Sequence, residues 1–195
     1  MSDVPRNKPP DPFALVSKLK SRSPAPVHLW NPPFCGDIDM RILRDGSWLH
    51  EGMPIRRQTM VQLFASILVR EADNQFYLVT PAEKVRIQVE DCPFVIVLMD
   101  VLENDTVTNA AQQIRFTTNT DESITLDSEH GLMVTEQVAT GEPHPIVHVR
   151  SGLNALISRS VFYQLVALAE QRQIDGDSVF GVWSCGVFFP LGSIK

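Results

Sequence analysis

The spacing of apolar and polar residues changes period several times along this chain, and each change marks an element. From Lys84 to Glu90, Val85, Ile87 and Val89 interleave with Lys84, Arg86, Gln88 and Glu90. That period of two describes a strand with one apolar and one wet face. Further strands are expected over 38–43, 48–50, 75–79 and 94–103. The first two flank Arg44-Asp45-Gly46-Ser47, a turn signal that makes them a hairpin. After Pro54 the period lengthens, and Met60, Leu63, Phe64, Ile67 and Leu68 fall on one face of a helix. The second half repeats the scheme. Strands are expected over 114–118, 123–127, 132–138 and 145–150, then a helix over 156–171, then strands over 179–183 and 186–191. The second helix carries its apolar stripe on Val161, Phe162, Leu165, Leu168 and Ala169. Several strands and one helix, twice over, predict an α+β fold of two similar domains, each an antiparallel sheet packed with one main helix.

The two helical stretches also match residue by residue. At a constant offset of 102 positions, Ile55, Arg57, Gln62, Leu63 and Ala65 recur as Ile157, Arg159, Gln164, Leu165 and Ala167, and each stretch follows a glycine, Gly52 or Gly152. That period exceeds the roughly 20–50 residues of solenoid repeats and points to a duplicated domain. Duplication creates an interface between similar domains, a common place for a small ligand. The polar run Asn104–Thr108 is the expected junction, giving domains over 34–104 and 105–195. Ahead of them, residues 1–33 hold eight of the 14 prolines. This tail is expected to be extended, with one short helix over 12–20 behind Asp11.

Composition narrows the function classes. A chain of 195 residues can bury a core without disulfides or metal. Its net charge of −6 argues against general binding of nucleic acid, which needs clustered Lys and Arg. Basic residues exceed acidic ones in the first 30 positions and not in the remainder taken together, a pattern that reads as a solubilising tail or as a contact for a membrane surface or a polyanion. Cys35, Cys92 and Cys185 lie far apart without a Cys-x-x-Cys pair, as reduced thiols do. Residues 1–25 lack the apolar stretch of a signal peptide, and the longest apolar run, Phe94 to Met99, is far short of a membrane span. The expectation is a cytoplasmic microbial protein without a membrane span.

Three stretches of the first half carry a resemblance: Asp45-Gly46-Ser47-Trp48-Leu49-His50-Glu51-Gly52-Met53-Pro54-Ile55, then Leu78-Val79-Thr80-Pro81-Ala82-Glu83-Lys84-Val85, then Val89-Glu90-Asp91-Cys92-Pro93-Phe94. The second half adds Arg115-Phe116-Thr117-Thr118-Asn119, Gly141-Glu142-Pro143-His144-Pro145 and Val149-Arg150-Ser151-Gly152-Leu153. From about Gly36 onward the chain resembles the uncharacterised bacterial domain-of-unknown-function family DUF1285. The resemblance implies a duplicated α+β core with a second domain like pleckstrin-homology folds. It also implies a site between the domains for a nucleotide-like molecule and a role in signalling, with no established activity.

Candidate chemistry is sparse. There is no Gly-x-Ser-x-Gly elbow, no phosphate loop ending in Lys-Ser/Thr and no Gly-x-Gly-x-x-Gly. Catalytic residues, metal ligands and a cofactor are therefore not assigned. His144 and His148, four apart, lack a third ligand with zinc spacing and read as structural; Asp37 and Asp39 read as loop polarity rather than a cation site. Arg57 and Arg159, at matching positions, offer planar forks for phosphate or carboxylate, or else tie helix to sheet through an acid. Arg150 has the same two readings. Thr80, Glu83 and Lys84, between two strands, can meet a polar ligand or only satisfy turn backbone. Trp48 can stack a base or fill the core. Three readings follow. The first is a non-enzymatic binding or regulatory module that holds a nucleotide-like anion between its domains through Trp48, Arg57, Thr80, Glu83, Lys84, Arg150 and Arg159. The second is an adaptor for a protein partner, and the third a hydrolase using Glu83 or Glu51.

Overall fold

In the computed structural model, which describes residues 11, 13, 25–102, 112–137, 140–174 and 176–194, the chain divides between Glu90 and Asp91 into two units. The first unit starts from alternation. Strand β1 (Phe34–Ile42) buries Ile38, Met40 and Ile42 and exposes Asp37, Asp39 and Arg41. The Asp45 carboxylate accepts the Ser47 N–H at 2.8 Å and closes the turn into β2 (Trp48–His50). Glu51 and Gly52, with φ of 49° and 74°, supply the two left-handed residues of a tight hairpin into β3 (Met53–Pro54). Helix α1 (Gln58–Ser66) buries Val61, Phe64 and Ala65. The Phe64 ring lies nearly parallel to Trp48, 6.0 Å away, and both are buried. Strands β4 (Leu68–Arg70), β5 (Phe76–Val79) and β6 (Lys84–Val89) complete a sheet of order β3-β2-β1-β6-β5-β4.

The second unit contains β7 (Phe94–Leu102), β8 (Gln113–Thr118), β9 (Ser123–Thr125), β10 (Leu132–Glu136), β11 (Pro143–Arg150) and β12 (Leu153–Ile157), in the order β10-β11-β12-β7-β8-β9. Phe94, Ile96, Ile114, Phe116, Val147 and Ala155 form the centre of its core. Helix α2 (Arg159–Ala167) buries Val161 and Leu165. Strands β13 (Glu170–Ile174), β14 (Asp177–Ser184) and β15 (Val187–Ile194) form a separate antiparallel sheet. The turn end of its β14–β15 hairpin is tied to β8: the Ser184 hydroxyl accepts the Ile114 N–H at 2.9 Å, and Gln112 Nε2 donates to the Trp183 carbonyl at 2.7 Å.

Counted from the first strand of each unit, the two six-stranded sheets have the same order, 3-2-1-6-5-4. In both, the first and last strands pair in parallel at the centre and every other pair is antiparallel. The domains are duplicated α+β units. The helices, however, occupy different places. Helix α1 connects the third and fourth strands of its unit, whereas α2 follows the sixth. The match at offset 102 therefore aligns connections that are not equivalent. Arg57 is the N-cap of α1, while Ser158 caps α2 and Arg159 is its first residue.

Other expectations shift. Strand β7, assigned from sequence to the first domain, pairs with β8 and β12 of the second sheet. The helix expected over 156–171 gives up both ends to strands, because Ile157 pairs with Ile96 and Glu170 with Gly181. In the first unit, Leu68 continues the helical apolar spacing yet pairs with Leu78, and Ile67 accepts the Val79 N–H. Asp37 and Asp39 lie on a strand, not in a loop. The 12–20 helix and the Asn104–Thr108 junction lie outside the described residues, apart from Phe13, whose ring packs edge-on against His50 and Phe64 at 5.3 and 5.9 Å. No described helix is long and apolar enough to cross a membrane.

Candidate functional site

The parallel pairing of β1 with β6 brings two charged strands side by side. Asp37 stands opposite Arg86 and Arg41 opposite Gln88, with register shifts along β1. Arg86 donates from Nε and Nη2 to both Asp37 oxygens at 2.8 and 2.6 Å, a bidentate pair. Arg41 donates from Nε to Gln88 Oε1 at 3.2 Å, and its Nη1 lies 4.0 Å from Glu90 Oε1. The other Glu90 oxygen accepts the Arg44 N–H at 3.2 Å. These groups line an open cleft of about 720 Å³, within the first unit, that Asn74, Gln75 and Phe76 border from the β4–β5 turn. The volume is that of a small-molecule pocket, about 300–1,000 Å³.

The turn beside the cleft is braced. Asp73 accepts the Gln75 N–H at 2.9 Å and the Tyr77 hydroxyl at 2.6 Å. Arg70 donates to Asn74 at 3.1 Å. The hydrogen bond from Tyr77 holds the Asp73 carboxyl below its ordinary pKa, helped by the Gln75 N–H, and the same bond raises the Tyr77 hydroxyl. The Arg86 hydrogen bonds hold Asp37 below its ordinary value against an opposing burial effect, and Arg86 is raised in turn. The cleft thus carries two guanidinium groups, two carboxylates and the partly exposed Phe76 ring. Arg41 uses Nε on Gln88 and reaches Glu90 only at 4.0 Å, so among the described residues its guanidinium keeps donors for an anion.

None of the seven residues chosen from sequence lines this cleft. Trp48 is 2% exposed and stacked on Phe64, so no base can reach its face. Thr80 is buried; its hydroxyl accepts the Ala82 and Glu83 N–H groups at 3.3 and 3.1 Å, which makes it the cap of the β5–β6 turn. Glu83 gives that turn its carbonyl, which accepts the Thr80 N–H at 2.9 Å. Lys84 is spent on Glu71, at 2.9 and 3.1 Å, and lies over the Tyr77 ring. Arg150 holds Glu122 at 3.0 Å and lies over the Phe94 ring. Arg159 pairs with Glu142 at 3.0 Å in solvent. Arg57 is exposed at the start of α1. Glu51 is exposed in its hairpin turn and lines no part of the cleft. Sequence reasoning named the wet face of β6 but not its partner. The signal was there: Asp37, Asp39 and Arg41 alternate with Ile38, Met40 and Ile42 as cleanly as the β6 residues do.

In the second unit, His144 Nε2 lies 3.0 and 2.9 Å from the two Asp91 oxygens, and the Cys92 thiol lies 3.6 Å from the first of them. The histidine and the thiol thus converge on the one Asp91 carboxylate. His148 is 3.3 Å from Asn154 Oδ1. Among the described residues, no three His, Cys, Asp or Glu side chains form a metal-binding group.

Two family models divide the chain close to the boundary between its units. A family model described as the N-terminal domain of a domain of unknown function, DUF1285, matches residues 25–92, and one described as the C-terminal domain of the DUF1285 protein of unknown function matches residues 93–191. A solved DUF1285 family protein from Silicibacter pomeroyi DSS-3 is 49% identical, with a TM-score of 0.85, covering 94% of this chain and 96% of its own. A second, from Shewanella baltica OS155, is 24% identical with a TM-score of 0.49, over 66% of this chain and 90% of its own. No curated protein matches the chain.

Proposed function

From the premise that this chain belongs to the DUF1285 family over both of its domains, we propose that it is a regulatory binding module whose first domain takes a small nucleotide-like anion. The observation that carries this reading is the cleft of about 720 Å³ with Arg41 and Arg86 among Asp37, Gln88 and Glu90. Such a mixed lining favours a ligand with both an anionic group and hydroxyl or amine donors over a simple anion. The anionic group meets Arg41, the donors meet the carboxylates, and Phe76 offers an apolar face to a ring. Strands position these groups, so little ordering remains at the moment of binding.

Thermal-shift titration with nucleoside mono- and triphosphates at millimolar concentration tests the proposal. A ligand that binds only the folded chain stabilises it as RT ln(1 + [L]/Kd), about 2.7 kcal/mol at a hundredfold excess over Kd. The expected outcome is a raised melting temperature that Arg41→Gln abolishes. The unliganded stability of that variant should stay within about 0.5 kcal/mol, because the site is a solvated strand face. Stabilisation by none of these compounds, or equal stabilisation of Arg41→Gln, contradicts the reading.

A further inference from the structure

The three-stranded sheet of the second unit has an inner face that buries Val182, Ser184, Phe189 and Leu191, and its outer face carries an unusual grouping. Trp183 and Phe188 stand directly opposite each other on β14 and β15, with ring centroids 5.4 Å apart and planes at 65°. Arg172 of β13 reaches across the sheet into the corner they make, 4.9 Å from the Trp183 ring and 5.5 Å from Phe188. The corner is built in. A Cβ at Gly181 would lie 2.5 Å from both the Phe188 ring and the Phe189 carbonyl, so only glycine lets that ring lie over β14. Two rings therefore hold the guanidinium in place, and no hydrogen bond or ion pair engages its fork among the described residues. An arginine ordered by stacking, with its donors available, is a preorganised receptor for a carboxylate.

The strand that carries Arg172 is also an open edge. Other edge strands are short: β3 has 2 residues, and β4 and β9 have 3 each. Edges β10 and β15 lie against each other. Strand β13 has 5 residues and pairs with β14 in unbroken register, without proline or bulge; its two charges, Glu170 and Arg172, share one face. Natural sheets usually guard such an edge. Ile174, on the same face as Arg172 and two residues along, is 39% exposed.

We propose that β13 is a docking edge for an extended segment of a partner protein, which adds a strand and presents an acidic side chain to Arg172 and an apolar one to Ile174. The backbone of the segment satisfies the open edge, and the alternation of its side chains gives specificity. The pattern recognised is acidic-x-apolar, with both side chains on one face of the added strand.

A fluorescein-labelled, end-blocked heptapeptide Thr-Val-Thr-Glu-Thr-Val-Thr serves as probe; its symmetry allows either strand direction. Fluorescence anisotropy with the full chain should show saturable binding. Replacing the central glutamate by glutamine should weaken it about tenfold, the scale of one charge-assisted hydrogen-bond pair. Arg172→Gln should remove the difference between the two peptides, and Arg172→Lys, which keeps charge but not the fork, should recover only part of it. Circular dichroism and melting temperature confirm that each variant folds. Failure to bind the glutamate peptide at millimolar concentration, equal binding of both peptides, or unchanged discrimination in Arg172→Gln overturns the proposal. So does a sedimentation result showing a dimer that Ile174→Lys dissociates, because a second copy would then occupy the edge.

Discussion

Trp48 shows how one side chain separates a binding role from a packing role. It is buried and stacked on Phe64, and among the described residues its indole Nε1–H has no hydrogen-bond partner. A buried donor without a partner costs about 1–3 kcal/mol. Trp48→Phe loses contact area but also removes that orphan donor, so the two effects oppose each other. The expected cost in urea unfolding is below about 1 kcal/mol, against about 3–5 kcal/mol for Phe64→Ala, which empties the same core. A large loss for Trp48→Phe would mean that the indole nitrogen has a partner. The charged candidates read from sequence follow the same logic at the surface. Lys84, Arg150 and Arg159 each hold a glutamate. Sequence identified the right chemical type, and the partners Glu71, Glu122 and Glu142 could not be assigned without the strand order.

At the scale of elements, alternation was readable and pairing was not. The β1–β2 hairpin and the two-faced β6 follow from local spacing alone. The helix ends did not, because the apolar residues that extend each helical pattern are claimed by neighbouring strands, Leu68 by Leu78 and Ile157 by Ile96. The central parallel pairs are the least local feature, and the β1–β6 pair builds the cleft. Its charge pairing makes an acid-side prediction. Asp37 has a depressed folded pKa, so its pairing with Arg86 stabilises the fold above the ordinary carboxylate value, about 3.9, and that contribution is lost as pH falls through the folded value. Unfolding titrations should show Asp37→Asn less stable than the parent at neutral pH, with the gap closing below about pH 4. A gap independent of pH would show that the pair contributes nothing as a charge interaction.

For the whole molecule, the duplication expected from the helical repeat is present, but in the sheets. Two six-stranded sheets share one strand order while α1 and α2 sit in different connections. Strand order is set by contacts between distant residues, so a one-dimensional match between helices could not reveal it. The same non-locality hid the division near Glu90. Asn104–Thr108 has the composition of a linker, yet β7 before it belongs to the second sheet. The family's stretch around Asp91 and the one around His144 likewise meet only in three dimensions. The proposed ligand site is the first domain's cleft. Its most direct test is an NMR titration of the nitrogen-15-labelled chain with a nucleoside monophosphate, following arginine Nε–H signals and backbone amides. Saturable shifts are expected at Arg41, Arg86 and the amides of 86–90. Shifts confined to other residues, or none at millimolar ligand, would contradict it.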